Sequence, residues 1–286
     1  MDQKINDLYS AFRNGEMDRR KFLKKLTLLT GSAAAAFSLL PFLEKNYSIA
    51  AAMSSDDDSL HTEYVKYPGF TGDIRAYLAK PEGDKKLPAV IVIHENRGLV
   101  PHIEDVTRRM ASEGFLALAP DALSPLGGTP EDMNETRSLM QQLDNQATVK
   151  NFVAAVEYLK THPLSTGKVG CTGFCWGGGI TNQVAVQSSD LAAAVPYYGR
   201  QPEPEDVPKI KAAMLIHYAG NDERINSGIP AFEEALKKAS IEYKIFIYEG
   251  AQHAFNNDTN PDRYHKEAAE LAWERTVDFF KEKLKT

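Results

Sequence analysis

Cysteine is scarce in this sequence: 286 residues hold two, Cys171 and Cys175. Both fall on a run that reads as a strand and the turn after it, where ~3.3 Å per residue sets their Cα atoms roughly 13 Å apart. A disulfide spans less than about 7 Å, so the pair is no structural staple, and a thiol redox pair is disfavoured on the same ground. No HExxH or CxxC pattern occurs among the seven histidines and two cysteines, so no metal or other cofactor is expected. Long apolar runs are missing as well. The uncharged stretch near the N-terminus, Leu26 to Leu43, is 18 residues diluted by Thr, Gly and Ser and interrupted by Pro41. A membrane-spanning helix needs about 20 apolar residues, so stable membrane insertion is not expected. Basic residues number 33 against 39 acidic, a formal net charge of −6, with no basic stripe for nucleic acid. Repeat periodicity is absent too.

What is there begins with an address. Paired arginines in "RRKFLK", Arg19 to Lys24, precede the moderately apolar stretch, and small residues suited to signal peptidase follow at Ala50 to Ala52. Those three parts make an export signal of the twin-arginine type over residues 1–52. Its expected partner is the twin-arginine export machinery and its expected destination the periplasm. A chain that keeps the signal, or does not use it, would instead be membrane-tethered or cytoplasmic. Residues 53–60 read as a polar linker, and 61–286 as a single domain. Eight of the 33 basic and five of the 39 acidic residues lie in 1–52, leaving 25 against 34 in an acidic remainder.

Within 61–286 the hydrophobic pattern alternates. "TEYVKYPGFTGDIRAYLAKPEG" reads as an edge hairpin, and "LPAVIVIHE" as a strand covered on both faces. Helical spacing follows Pro101, a strand covers "FLALAPDAL", and Thr129-Pro130 is the expected cap and first residue of the next helix. "KVGCTGF", "LAAAVPYYG", "AAMLIHYAG" and "YKIFIYEG" are further strands with helices between them, the last helix running from Asn260. Such alternation predicts an α/β fold with a mainly parallel sheet flanked by helices.

Ligand chemistry in such a sheet gathers at the carboxyl ends of the strands. Cys175, Asp222 and His253 stand at three of those ends, in the order nucleophile, acid, histidine. The run Gly173-Phe174-Cys175-Trp176-Gly177 fits a strained strand-to-helix turn, whose helix N-terminus would favour an anion and lower the thiol pKa. His94 and His217 read as structural, and His61, His102 and His265 as surface residues. A non-catalytic small-molecule binding domain on the same fold is the alternative, but a binding relic has no need of all three groups.

With "IVIHENRGL", "GFCWGG", "AGNDERI" and "GAQHAFNND", the chain resembles the dienelactone hydrolase family over about Tyr64 to Leu284. The resemblance implies an α/β-hydrolase fold and hydrolysis of a small-molecule carboxylic ester or lactone through a thioester. Carried over, Cys175 is the nucleophile, His253 the base and Asp222 its orienting acid. Glu95 is the glutamate that generates the thiolate, and the N–H groups of Asn96 and Trp176 form the oxyanion hole. The two arginines with which bacterial relatives hold a substrate carboxylate are missing from "AFNND" and "SPLGGTPED". The pocket is therefore expected to use Arg97, Tyr197, Tyr198, Arg200 and Asn257, with Asn256 nearby, and to prefer neutral short-chain esters or lactones over dienelactone.

Overall fold

A computed structural model describes residues 59–285 and, ahead of them, residues 4–5, 8–9, 19–32, 35–36 and 39. The chain divides into two compact units, 1–56 and 57–286. In the first, Arg19–Thr30 forms helix α1. Its Phe22 and Leu26 are buried with Ile5, Leu8, Tyr9 and Ala36. The expected cleavage site at Ala50 to Ala52 and the linker through residue 58 lie outside the described residues. Among those described, no helix is long and apolar enough to cross a membrane.

The second unit is built on one eight-stranded sheet. Strands β1 (Leu60–Gly69) and β2 (Gly72–Pro81) make the edge hairpin, and Gly72 supplies the left-handed φ of +116° at its turn. Then come β3 (Leu87–Ile93), β4 (Leu116–Pro120), β5 (Ser165–Phe174), β6 (Leu191–Tyr197), β7 (Ala213–Asn221) and β8 (Tyr243–Gln252). Their spatial order is β1-β2-β4-β3-β5-β6-β7-β8. The pairs β1–β2 and β2–β4 are antiparallel, and every later pair is parallel.

Helices cover both faces: α2 (Pro101–Ser112), α3 (Met133–Gln142), α4 (Asn145–Thr161), α5 (Trp176–Gln187), the single turn α6 (Glu223–Asn226), α7 (Ile229–Lys238) and α8 (Lys266–Lys283). The continuous apolar run of β3 follows from this two-sided burial. Ala89, Ile91 and Ile93 pack with Phe152, Val156 and Val184 on one face, and Val90 and Val92 pack with Ile103, Met110 and Phe280 on the other. Each such buried Val, Ile, Met or Phe side chain contributes about 1.5–3 kcal/mol.

Two expected helix starts are corrected. Helix α3 is capped by Asp132, whose carboxylate accepts from the N–H groups of Asn134 and Glu135. Thr129 is engaged elsewhere: its N–H and hydroxyl donate to the buried Asp121 carboxylate at 2.8 Å each, and its hydroxyl oxygen accepts from Leu99 N–H at 2.9 Å. Helix α8 begins at Lys266, not near Asn260, because Asn260 to Arg263 close a turn and the His265 ring accepts from Ala268 N–H as the cap.

Candidate active site

The turn from β5 into α5 is a place where main chain meets main chain. A Cβ on Gly173 would lie 2.3 Å from the Gly177 carbonyl oxygen, one on Gly177 2.4 Å from that of His94, and one on Gly178 2.4 Å from that of Tyr197. No larger residue fits at these positions. The interlock forces Cys175 to φ 56° and ψ −114°, a conformation that costs a non-glycine residue on the order of 1–3 kcal/mol. Only four non-glycine residues among those described have positive φ, and three of them are Cys175, Tyr198 and Ala254, the last directly after His253. The strain is thus concentrated around one cleft.

That cleft has a volume of about 630 Å3, and Cys175, His253, Asn96, Trp176 and Tyr198 all line it. Asp222 is buried behind, and its Oδ2 lies 2.5 Å from His253 Nδ1, the bond that fixes which ring nitrogen faces the cleft. The Tyr198 ring packs against that of His253 with centroids 5.1 Å apart.

His94 serves three neighbours. Its Nδ1–H donates to the Glu95 carbonyl at 2.6 Å, its Nε2 accepts from Ala122 N–H at 3.1 Å, and its ring stacks on Trp176. Complete burial disfavours its charged form. The residue expected to be structural is thus the one that fixes the turn carrying Glu95 and Asn96.

The thiol is not depressed by the helix N-terminus. Burial, and after it the negative charge of Glu95, push Cys175 up to about 11, against the opposing pull of the Trp176 N–H and of Arg224. Withdrawal from water outweighs the partial charge of the α5 N-terminus. Cys171 is wholly buried, its Sγ 3.8 Å from the Thr181 hydroxyl, and burial raises it to about 12.

Several expected pocket residues are elsewhere. Tyr197 is fully buried, with its hydroxyl bonded to the Ala272 carbonyl at 3.0 Å and to Thr276 Oγ1 at 2.6 Å. At the end of β6 its ring packs in the core against Phe174 and His217. Tyr198 does line the cleft, with its hydroxyl buried near the Asn256 main chain. Asn257 is buried and donates to Glu95, and Asn256 borders a separate depression beside Arg109 and Trp273. Arg97 is half-buried and outside the cleft wall. His102 is buried rather than exposed, its Nδ1 3.4 Å from Asp258.

Arg200 lines the cleft and leans on Glu203 at 3.7 Å. Arg224, absent from the sequence expectations, also lines it and carries no ion pair among the described residues. It lies two residues after Asp222, and that adjacency was the available signal. The wall further offers the amides of Asn145, Gln146, Gln183, Gln187 and Gln201. Two guanidinium groups therefore border the cleft, the expected Arg200 and the unexpected Arg224. Among the described residues no cluster of His, Cys, Asp and Glu could hold a metal ion.

A model of the Dienelactone hydrolase family matches residues 74–284. A protein of Saccharolobus solfataricus named "Putative carboxymethylenebutenolidase" is 35% identical over 255 residues, 76% of this chain and 97% of that protein. One of the same name from Escherichia coli K12 is 32% identical, over 80% of this chain and 90% of its own length. The crystal structure titled as a putative dienelactone hydrolase from Klebsiella pneumoniae is similar with a TM-score of 0.70 and 29% identity, over 78% of this chain and 99% of that one.

Proposed function

The chain belongs to the dienelactone hydrolase family, with the ester- and lactone-hydrolysing activity and the α/β-hydrolase fold of that family, and from this premise we propose that it works through Cys175, His253 and Asp222 by way of a thioester. The thiol sulfur attacks the substrate carbonyl, and its proton passes to His253. Asp222, bonded to Nδ1, stabilises the imidazolium that results. The tetrahedral oxyanion is received by the N–H groups of Asn96 and Trp176, both on the cleft wall. Collapse expels the alkoxide, which takes the proton from His253. Water activated by the same ring then attacks the thioester and restores the thiol. Glu95 is the group that shifts the thiol between protonated and ionised forms.

The observation that carries this reading is the pairing of His253 with buried Asp222 on the same cleft as a cysteine held at a strained glycine turn. Rapid mixing with p-nitrophenyl acetate should release a burst of nitrophenol and add an acetyl mass to the Cys175 peptide. Hydrolysis without that adduct, or with the adduct on another residue, would reject the assignment.

The substrate in this reading is a small ester or lactone whose far end meets Arg224 and the amide-rich wall. Residues 1–52 are its export signal, delivering the folded domain to the periplasm, a reading supported by "RRKFLK" at the head of α1 and the small residues at Ala50 to Ala52.

A further inference from the structure

Glu95 is a buried carboxylate beside a thiol, and its place depends on one bond. Among the described residues its side chain accepts a single hydrogen bond, from Asn257 Nδ2 to Oε2 at 2.8 Å. The amide is not free to turn over. Asn257 Oδ1 accepts from Thr259 N–H at 3.0 Å and from the Thr259 hydroxyl at 2.6 Å, so Nδ2 has to face Glu95. The next residue is tied down on the outer side of the loop, where Asp258 accepts from Arg109 at 2.7 Å and lies 3.4 Å from His102. Loop and amide are thus fixed independently.

The donor is also neutral. An amide N–H favours the charged form of the carboxylate it bonds without cancelling that charge, as a lysine or arginine would. The negative charge of Glu95 therefore adds to burial in raising the thiol. The other groups facing Cys175 are Asp222, Arg224, His253 and the Tyr198 phenol, and those facing Glu95 are Cys175, His94 and Tyr198.

We propose that Asn257, oriented by Thr259, is a positioning residue that holds the Glu95 side chain in place near Cys175 and so keeps the thiol protonated in the resting protein. This rests on the roles given above to Cys175 and Glu95. Without the amide, Glu95 leaves its place, and that change removes a like charge from the thiolate.

The test is the pH dependence of iodoacetamide alkylation at Cys175 in the full chain, read by peptide mass, with buried Cys171 as internal control. Asn257→Ala and Glu95→Gln should each lower the alkylation midpoint by about one pH unit. At pH 8 the gain in thiolate is then about tenfold, and the rate rises several-fold because a less basic thiolate is also a weaker nucleophile. The double variant should show no further fall, and Thr259→Ala, which frees the amide to turn, should give a smaller shift in the same direction. A wild-type midpoint in Asn257→Ala, or additive shifts in the double variant, overturns the proposal. If Asn257→Ala does not fold, Asn257→Ser and Thr259→Ala decide it, and wild-type midpoints in both overturn it. Complete alkylation of Cys175 that leaves hydrolysis intact would reject the nucleophile assignment instead, an outcome distinct from any midpoint.

Discussion

Replacing Gly177 by alanine and Gly179 by alanine sets two identical substitutions, two residues apart on α5, against opposite surroundings. In an open helix the change stabilises by about 1 kcal/mol, through the better helix propensity of alanine. At Gly179 that gain should be realised, since the new Cβ would meet nothing closer than the Arg200 nitrogen at 3.6 Å. At Gly177 the same atom would lie 2.4 Å from the His94 carbonyl oxygen and 2.6 Å from that of Ile93. Ordinary contact begins about 1 Å further out, and both obstacles are backbone, so α5 and the end of β3 must separate. Overpacking of this kind costs about 1–3 kcal/mol, enough to cancel or exceed the propensity gain. Activity should suffer more than stability. The displaced carbonyls sit immediately before Glu95 and Asn96, and a shift of about 1 Å in such a site costs on the order of 100-fold in rate. Urea midpoints and kcat/KM for p-nitrophenyl acetate, measured on both variants, check this. Equal stability and equal activity of the two would refute the claim that backbone contact builds the turn.

Cys175→Ala should abolish hydrolysis while Cys171→Ala keeps it and loses up to about 3 kcal/mol of stability, both read from one purification series. His217 is fully buried, and that burial, with Arg275 nearby, lowers it to about 3. Its contribution to stability is therefore complete above the ordinary histidine value of 6.5 and is lost as pH falls from there toward 3. His217→Asn should unfold less steeply over that window, although it is less stable at pH 7 because the bonds to Tyr248 and Thr276 are broken; chemical denaturation across the window measures both. Arg224→Gln should lower kcat/KM about tenfold for an ester bearing a carboxylate and little for its neutral analogue, and equal losses would remove Arg224 from substrate contact. Arg19→Lys with Arg20→Lys should leave a full-length precursor in the cytoplasm, and unchanged fractionation would reject the twin-arginine reading.

Much of this could be read from the sequence because backbone geometry leaves a residue signature. Apolar runs gave the strands, and the glycines around Cys175 gave the turn, since only glycine permits the close approaches there. What escaped was set by side-chain direction. Tyr197 is the last residue of β6 and is buried in the core, while Tyr198, one step beyond the strand at a left-handed φ of 38°, reaches the cleft. Asn257 looked like a substrate contact because nothing local announces a partner 162 positions away, and no pattern around Arg224 shows that it turns toward the cleft. The thiol was misjudged because a helix N-terminus is visible in sequence and the depth of burial is not.

The two cysteines have a consequence for oxidative damage. A hydroperoxide converts an accessible thiolate to a sulfenic acid, which is normally protected when a second thiol condenses with it. Here the other cysteine is sealed in the core of β5 and both thiols are free, so no internal disulfide can form to protect Cys175. Recovery then depends on a thiol supplied from outside, and without one the acid is open to further, irreversible oxidation. Because the resting thiol is held protonated, that chemistry starts slowly. In the proposed mechanism the exposure is greatest when the thiolate forms during turnover, so an enzyme at work should be inactivated by peroxide faster than one at rest.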